Sequence, residues 1–238
     1  MIDVLAIAAH PDDVELCAAG TLLVQKALGQ TIGILDLTRG EMGTRGTPEI
    51  RDAEAAEAGE ILDLDLRDNM NFRDVFFKND EEHKMKLVQK IRLYRPKIVL
   101  TNAEDDRHPD HGRAAKLVEE ACFWAGLKRI ETVDDSGNAQ DPHRPKKIYH
   151  FIQSRSNVPD FYVDITDVHE RKIRAYKAYK SQFFDPNSVE PATYISSQNF
   201  VSMIEARARE YGQRIGVQFA EGFTSRDFLG VKELGGLV

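Results

Sequence analysis

The sequence predicts an α/β fold of three layers, a mostly parallel Rossmann-like sheet with helices on both faces, and three observations predict it. Apolar runs at 4–9 and 31–37 flank a stretch rich in Ala and Leu, and a third run at 97–101 follows a helical stretch that stops at Pro96. Strands buried on both faces read as unbroken apolar runs, and strands joined through helices pair in parallel by right-handed crossovers. No stretch reads as an interdomain linker, so residues 1–238 read as one domain.

Val4 to Ala9 is the first predicted strand, Leu16 to Leu28 the first helix and Thr31 to Leu37 the second strand, closing a βαβ unit. A Gly-rich stretch, Arg39 to Pro48, precedes a helix from Glu49 to Leu62, with Thr47 as N-cap and Pro48 at its first position. A helix from Glu81 to Tyr94 and a strand from Lys97 to Thr101 lead to the loop Asn102 to Pro109 and a helix from Asp110 to Ala125. Glu131 to Pro145 is polar and turn-rich, which predicts a surface loop. Strands at Lys147 to Gln153 and Phe161 to Ile165, helices at Val168 to Ser181 and Tyr194 to Tyr211, and a strand at Val217 to Glu221 cap the sheet.

Composition narrows the partners. The chain is 42% apolar and carries 39 acidic against 32 basic side chains, a net charge of -7 that gives no general attraction to nucleic acid. Cys17 and Cys122 are the only cysteines and form no CxxC pair, so neither a disulfide framework nor a thiolate zinc knuckle is expected. The apolar start of the chain has no basic leader, and no stretch approaches the ~20 apolar residues of a membrane span. The expectation is a cytoplasmic protein with no membrane or nucleic-acid partner.

Two polar clusters follow predicted strands, where open α/β sheets place their sites. The first runs Ala9-His10-Pro11-Asp12-Asp13-Val14-Glu15, and the second runs Asp105-Asp106-Arg107-His108-Pro109-Asp110-His111. Each combines imidazole with carboxylate in a Pro-stiffened turn, offering the nitrogen and oxygen ligands that Zn²⁺ accepts. A catalytic zinc takes three protein ligands and keeps an open position, so the surplus of polar groups suggests hydrolysis. His10, Asp13 and His111 form the predicted ligand set, which would equally hold Fe²⁺, Mn²⁺ or Co²⁺. Adjacent Asp12 points elsewhere as a general base, and His108, paired with Asp110, is expected to be held protonated for an oxyanion or a leaving amine.

These turns resemble the signatures of the LmbE-like (PIG-L) zinc-dependent N-acetylglucosaminyl deacetylases, an AHPDD-type turn near the N-terminus and an HPDH-type turn mid-chain. The resemblance extends to 38–51, to EDDRHPDHG, to YKSQF at Tyr179 to Phe183 and to AEGF at Ala220 to Phe223, segments similar to the bacillithiol-biosynthesis branch. It implies release of acetate from N-acetylglucosaminyl malate, zinc on His10, Asp13 and His111, catalysis by Asp12, His108 and Asp110, and substrate binding by Arg51. It also implies a small aminosugar substrate and a homo-oligomer, with a hexamer as the expected size. Many relatives read HPDDE where this chain reads HPDDVE, which leaves Glu15 without an assigned role.

Malate would bring two carboxylates, for which Arg51, Arg107, Arg155 and Arg207 are the candidate cations, and Tyr194 could line the pocket. His83, His143 and His169 read as solvated, and His150 as a hydrogen-bonded core residue. Competing readings are an amidase acting on a thiol conjugate, a deacetylase of another aminosugar, and a silent zinc-binding protein. A nucleotide-binding module is disfavoured, because the first βα turn has no GxGxxG.

Overall fold

The computed structural model describes residues 1–231. Its strands are β1 (Val4–Ala8), β2 (Ile32–Thr38), β3 (Leu66–Phe72), β4 (Ile98–Thr101), β5 (Lys147–Phe151), β6 (Phe161–Asp164) and β7 (Ala220–Thr224). Its helices are α1 (Asp13–Cys17), α2 (Ala19–Ala27), α3 (Pro48–Leu62), α4 (Glu81–Tyr94), α5 (Pro109–Ala125), α6 (His169–Lys177) and α7 (Gln198–Ile215). One sheet takes the order β3-β2-β1-β4-β5-β7-β6, with β1 to β5 parallel and β7 antiparallel to both its neighbours. The mostly parallel, three-layer expectation holds.

Alternation along β1 builds both faces. Leu5 and Ile7 pack with Leu87, Val88 and Ile91 of α4 and Leu117 and Val118 of α5. Val4, Ala6 and Ala8 pack the other way, with Leu22 and Leu23 of α2, Leu62 of α3 and Ala175 of α6. The last third closes over this second layer, where Phe200 and Ile204 of α7 meet Tyr176, Tyr179 and Phe183.

Two predicted helices differ in instructive ways, and one strand was not predicted. The single helix expected over Leu16 to Leu28 is two, because the backbone turns out of helical geometry at Ala18 and the Glu221 carboxylate accepts from the amides of Gly20 (3.0 Å) and Thr21 (2.7 Å). That carboxylate satisfies the free N–H groups of α2 and pairs with buried Lys172 at 2.8 Å. A side chain at Gly20 would also strike Ile165. Strand β3 escaped the sequence reading, since LRDNMNF is polar at the sheet edge and alternates only weakly. The helix expected from Tyr194 starts at Gln198, where Ser197 caps the amide of Phe200 at 3.2 Å. Thr47 and Pro48 do start α3 as read.

Among the histidines, His150 is the expected core residue, buried and 2.8 Å from the carbonyl oxygen of Asn102. His143 sits 2.7 Å from the Pro96 carbonyl, and His83 is half-buried with Nδ1 2.7 Å from Asp80. The solvated reading of His169 is corrected: it is 6% exposed, stacks on Phe219 at 3.6 Å, and neither ring nitrogen has a hydrogen-bond partner. The neighbours α7 and β7 bury a residue that helix charge patterning alone places in solvent.

Burial, with Lys172 beside it, pulls the His169 imidazole down from 6.5 to about 4. The unfolded chain therefore takes up this proton first as pH falls, so stability is full above pH 6.5 and is lost progressively down to pH 4. His169→Phe should gain about 2 kcal/mol over the parent at pH 5 relative to pH 8. Parallel curves of melting temperature against pH for the two proteins would refute this.

Candidate active site

The order β3-β2-β1-β4 places the ends of β1 and β4 side by side where the direction of strand succession reverses, the position at which an open sheet leaves a crevice. Both polar turns leave from these ends. Their side chains converge on a cavity of about 310 Å³ lined by His10, Asp12, Asp13, Arg51, His108 and His111. Asp110 lies behind it.

Asp12 sits at φ 106°, a left-handed conformation that costs a non-glycine residue roughly 1–3 kcal/mol. The turn sends Asp12 and Asp13 to different partners. The Asp13 carboxylate accepts from His10 N (3.1 Å), Asn102 Nδ2 (3.0 Å) and Gln153 Nε2 (2.9 Å), and lies 3.2 Å from His111 Nε2 and 3.5 Å from His10 Nδ1. Burial opposes its ionisation, but His111 and His10 override it and hold Asp13 well below the usual carboxylate range. Asp12 instead pairs with Arg51 Nη2 at 2.9 Å. Burial outweighs that pairing and raises the Asp12 carboxyl above its ordinary value, the direction a general base requires.

Arg51 is 5% exposed, a buried residue rather than a solvated arginine of the helix face. Its guanidinium bonds Asp12 and the Pro11 carbonyl. The Gly-rich loop makes room for it: Gly40 has φ +66°, and a Cβ there would lie 2.7 Å from Arg51 Nη1.

The histidines are held by carboxylates that the sequence reading left without roles. Asp106 accepts from His111 Nδ1 at 2.6 Å and from the amides of Ser154 and Arg155, so His111 turns Nε2 toward Asp13. Asp74, just beyond the missed strand β3, lies 3.0 Å from His10 Nε2 and accepts from Met42 N at 3.1 Å. Asp106 was legible in its cluster, whereas Asp74 carried no signal without β3.

Two expectations about His108 are corrected. Asp110 orients it through its backbone N–H, which donates to His108 Nδ1 at 3.3 Å in an N-cap of α5, not through its carboxylate. That carboxylate accepts from Val75 N (3.1 Å) and Arg113 (2.6 Å) and lies 3.5 Å from His10 Nε2. Burial and the neighbouring imidazoles of His10 and His111 push His108 below its ordinary value, against the expected protonated form, and an Nδ1 that accepts an amide fits the neutral ring. With Nδ1 accepting, the proton of neutral His108 sits on Nε2, which can donate.

Glu15 is fully buried outside the cavity, bonded to Arg67 and to the Tyr179 hydroxyl at 2.9 Å, while Arg67 also meets Asp36 at 2.8 Å. It is a structural residue. Arg155 pairs with exposed Asp105, and Arg207 donates to the Gln153 carbonyl. The Arg107 guanidinium lies 4.4 Å from the ring centre of Tyr194, and both residues line the cavity.

Donor chemistry fits a metal ion. Ligand bonds of roughly 2.0–2.2 Å in tetrahedral array set donors roughly 3.3 Å apart, and Asp13 Oδ1 lies 3.2 Å from His111 Nε2 while its Oδ2 lies 3.5 Å from His10 Nδ1. Among the described residues the triplets whose donor atoms all lie within 4.8 Å of one another are His10 with His108 and His111, His10 with Asp74 and Asp110, and Glu104 with Glu119 and His150; the expected set of His10, Asp13 and His111 is not one of them. The His10, Asp13 and His111 set remains the expected one because Asp13 lies against both imidazoles and Asp106 turns His111 Nε2 toward it.

The family model for GlcNAc-PI de-N-acetylases (PIG-L) matches residues 5–122. Diacetylchitobiose deacetylase of Thermococcus kodakarensis is 31% identical over 230 residues, 92% of this chain and 81% of the relative. A Bacillus anthracis protein named probable N-acetyl-alpha-D-glucosaminyl L-malate deacetylase 2 is 26% identical over 200 residues, 76% of this chain and 81% of its own length. The crystal structure of a conserved protein of Thermus thermophilus superposes with a TM-score of 0.85 at 39% identity, covering 98% of each chain. The chain belongs to the PIG-L family of de-N-acetylases and is an amide hydrolase of the deacetylase class. Among the described residues no helix is long and apolar enough to cross a membrane.

Arg67→Met should test the buried network behind the site. Two carboxylates, Glu15 and Asp36, lose their common cation, and removing one partner of a buried pair costs about 3–5 kcal/mol. Urea unfolding should show that loss, and a midpoint unchanged from the parent would remove the network from the account of stability.

Proposed function

We propose that this chain hydrolyses the N-acetyl group of an N-acetylglucosaminide in a zinc-dependent reaction, with N-acetylglucosaminyl malate, the substrate of bacillithiol biosynthesis, as the substrate. The convergence of His10, Asp13 and His111 on one cavity wall, with Asp12 separate and tied to Arg51, carries this reading. The family and the Bacillus anthracis relative support the substrate.

His10, Asp13 and His111 would hold the ion, which would supply Lewis acidity for amide hydrolysis. Asp12 accepts the proton of the attacking water, and Arg51 keeps its carboxylate in place while lining the sugar's cavity. His108 donates from Nε2 to the carbonyl oxygen as it gains negative charge, a task for which a neutral imidazole fixed by the Asp110 amide is pre-organised. Protonated Asp12 returns its proton to the sugar nitrogen as the C–N bond breaks. Acetate and the free amine leave.

Acetate release from N-acetylglucosaminyl malate should vanish with chelator and return with Zn²⁺, and Fe²⁺, Mn²⁺ and Co²⁺ should be tried alongside. Metal binding without release from any N-acetylglucosaminide would overturn the reading. Asp12→Asn should keep the metal and lose turnover by about 10² or more; equal turnover at matched metal content would clear Asp12 of the role. Asp74→Asn should weaken metal binding by about 10- to 100-fold, as loss of a carboxylate behind a ligand histidine does. A metal competition titration reads that change, and parental affinity would exclude Asp74.

A further inference from the structure

Three arginines line the catalytic cavity, Arg45, Arg51 and Arg107. Arg51 is committed to Asp12, and exposed Arg107 lies over the ring of Tyr194. Arg45 is different. It is only 4% exposed, yet among the described residues no carboxylate oxygen lies within 4.0 Å of its guanidinium. One Nη donates to Ser188 Oγ, Nε is buried without a partner, and the Arg45 carbonyl accepts from Gln182 Nε2 at 2.8 Å. The residue is thus anchored through its backbone carbonyl to the segment that follows α6; the Glu190 carboxylate comes beside it, on the Gly46 amide at 3.4 Å, but forms no ion pair with it.

A buried cation without a counter-charge is costly, and a guanidinium cannot escape the cost by losing its proton. The same cavity carries the carboxylates of Asp12, Asp13 and Asp74, in a chain of net charge -7, so an anionic ligand would be repelled without a local cation. We propose that Arg45 is the specificity residue for an oxyanion, carboxylate or phosphate, carried by the aglycone of the substrate. The ligand completes the pair that the protein leaves open, and the planar fork of Arg45 fits either group. This rests on the deacetylase reading above and adds to it the residue that selects among glucosaminides.

The test uses binding of product sugars, which requires no turnover. Glucosamine linked to malate, to glycerol phosphate or to methanol is titrated calorimetrically into the metal-loaded parent, Arg45→Met and Arg45→Lys, and KM for acetate release is measured for the matching N-acetyl compounds. The parent should bind at least one charged glycoside about 10- to 100-fold more tightly than the methyl glycoside, the worth of a hydrogen bond to a charged group. Malate and glycerol phosphate arms tell carboxylate from phosphate. Arg45→Met should abolish that preference and leave methyl glycoside binding within about twofold, while Arg45→Lys keeps part of it. A parent without preference overturns the proposal even if Arg45→Met fails to fold, and so does an Arg45→Met that weakens all three equally. Charge-selective binding without acetate release would instead retain Arg45 and overturn the deacetylase reading.

Discussion

The side chain of Asn102 is the constraint on which the site depends. It is fully buried just past the end of β4, where Oδ1 accepts from the backbone of Ala9 at 2.8 Å and Nδ2 donates to Asp13 (3.0 Å) and Gln153 (2.9 Å). One planar amide thereby joins the ends of β1, β4 and β5. Parallel strands bring their carboxyl ends to one edge but leave the exit turns free to diverge. Asn102 removes that freedom by satisfying an amide at the end of β1 and a carboxylate at the start of α1, both of which are costly to bury alone. His150 reinforces it from behind, through the Asn102 carbonyl.

Charge follows from this geometry. Asp13 collects three hydrogen bonds and two imidazoles and stays ionised, whereas Asp12 meets one guanidinium in the same buried setting and is raised. Adjacent residues of the same type thus acquire opposite tendencies from their partners, the pattern by which one site supports both ligation and proton transfer. His108 gains its character similarly. An N-terminal amide of α5 occupies Nδ1, and burial, with two neighbouring imidazoles, lowers its affinity for a second proton, so its capacity lies in a directed N–H rather than in a charge.

Legibility in the sequence followed the locality of each feature. The strands β1, β2 and β4 stood out because burial on both faces demands unbroken apolar runs, and the two turns stood out because each packs its polar groups into a few consecutive residues. Strand β3 did not, since its Arg67, Asp68 and Asn69 are satisfied by polar partners in place of an apolar run. Asp74 was lost with it. Glu221 splits the first predicted helix from some two hundred positions away, and Phe219 buries His169 from β7's threshold, contacts that helix periodicity cannot register. Arg45 was unmarked for a related reason: among the described residues it forms no ion pair with a carboxylate, and such an absence has no sequence pattern.

The strained backbone at Asp12 links these levels. A glycine would relieve the left-handed conformation but remove the carboxylate, so the chain bears roughly 1–3 kcal/mol of strain at the residue proposed as base. What holds it there is the surrounding overdetermination: Pro11 limits the preceding backbone, its carbonyl is bonded by Arg51, and Asp13 is fastened to two other strand ends. The Gly-rich loop belongs to the same arrangement, because Arg51 reaches Asp12 only across the space that Gly40 leaves open. Glycine is therefore needed beside the guanidinium, and aspartate is needed where glycine would be the easier residue.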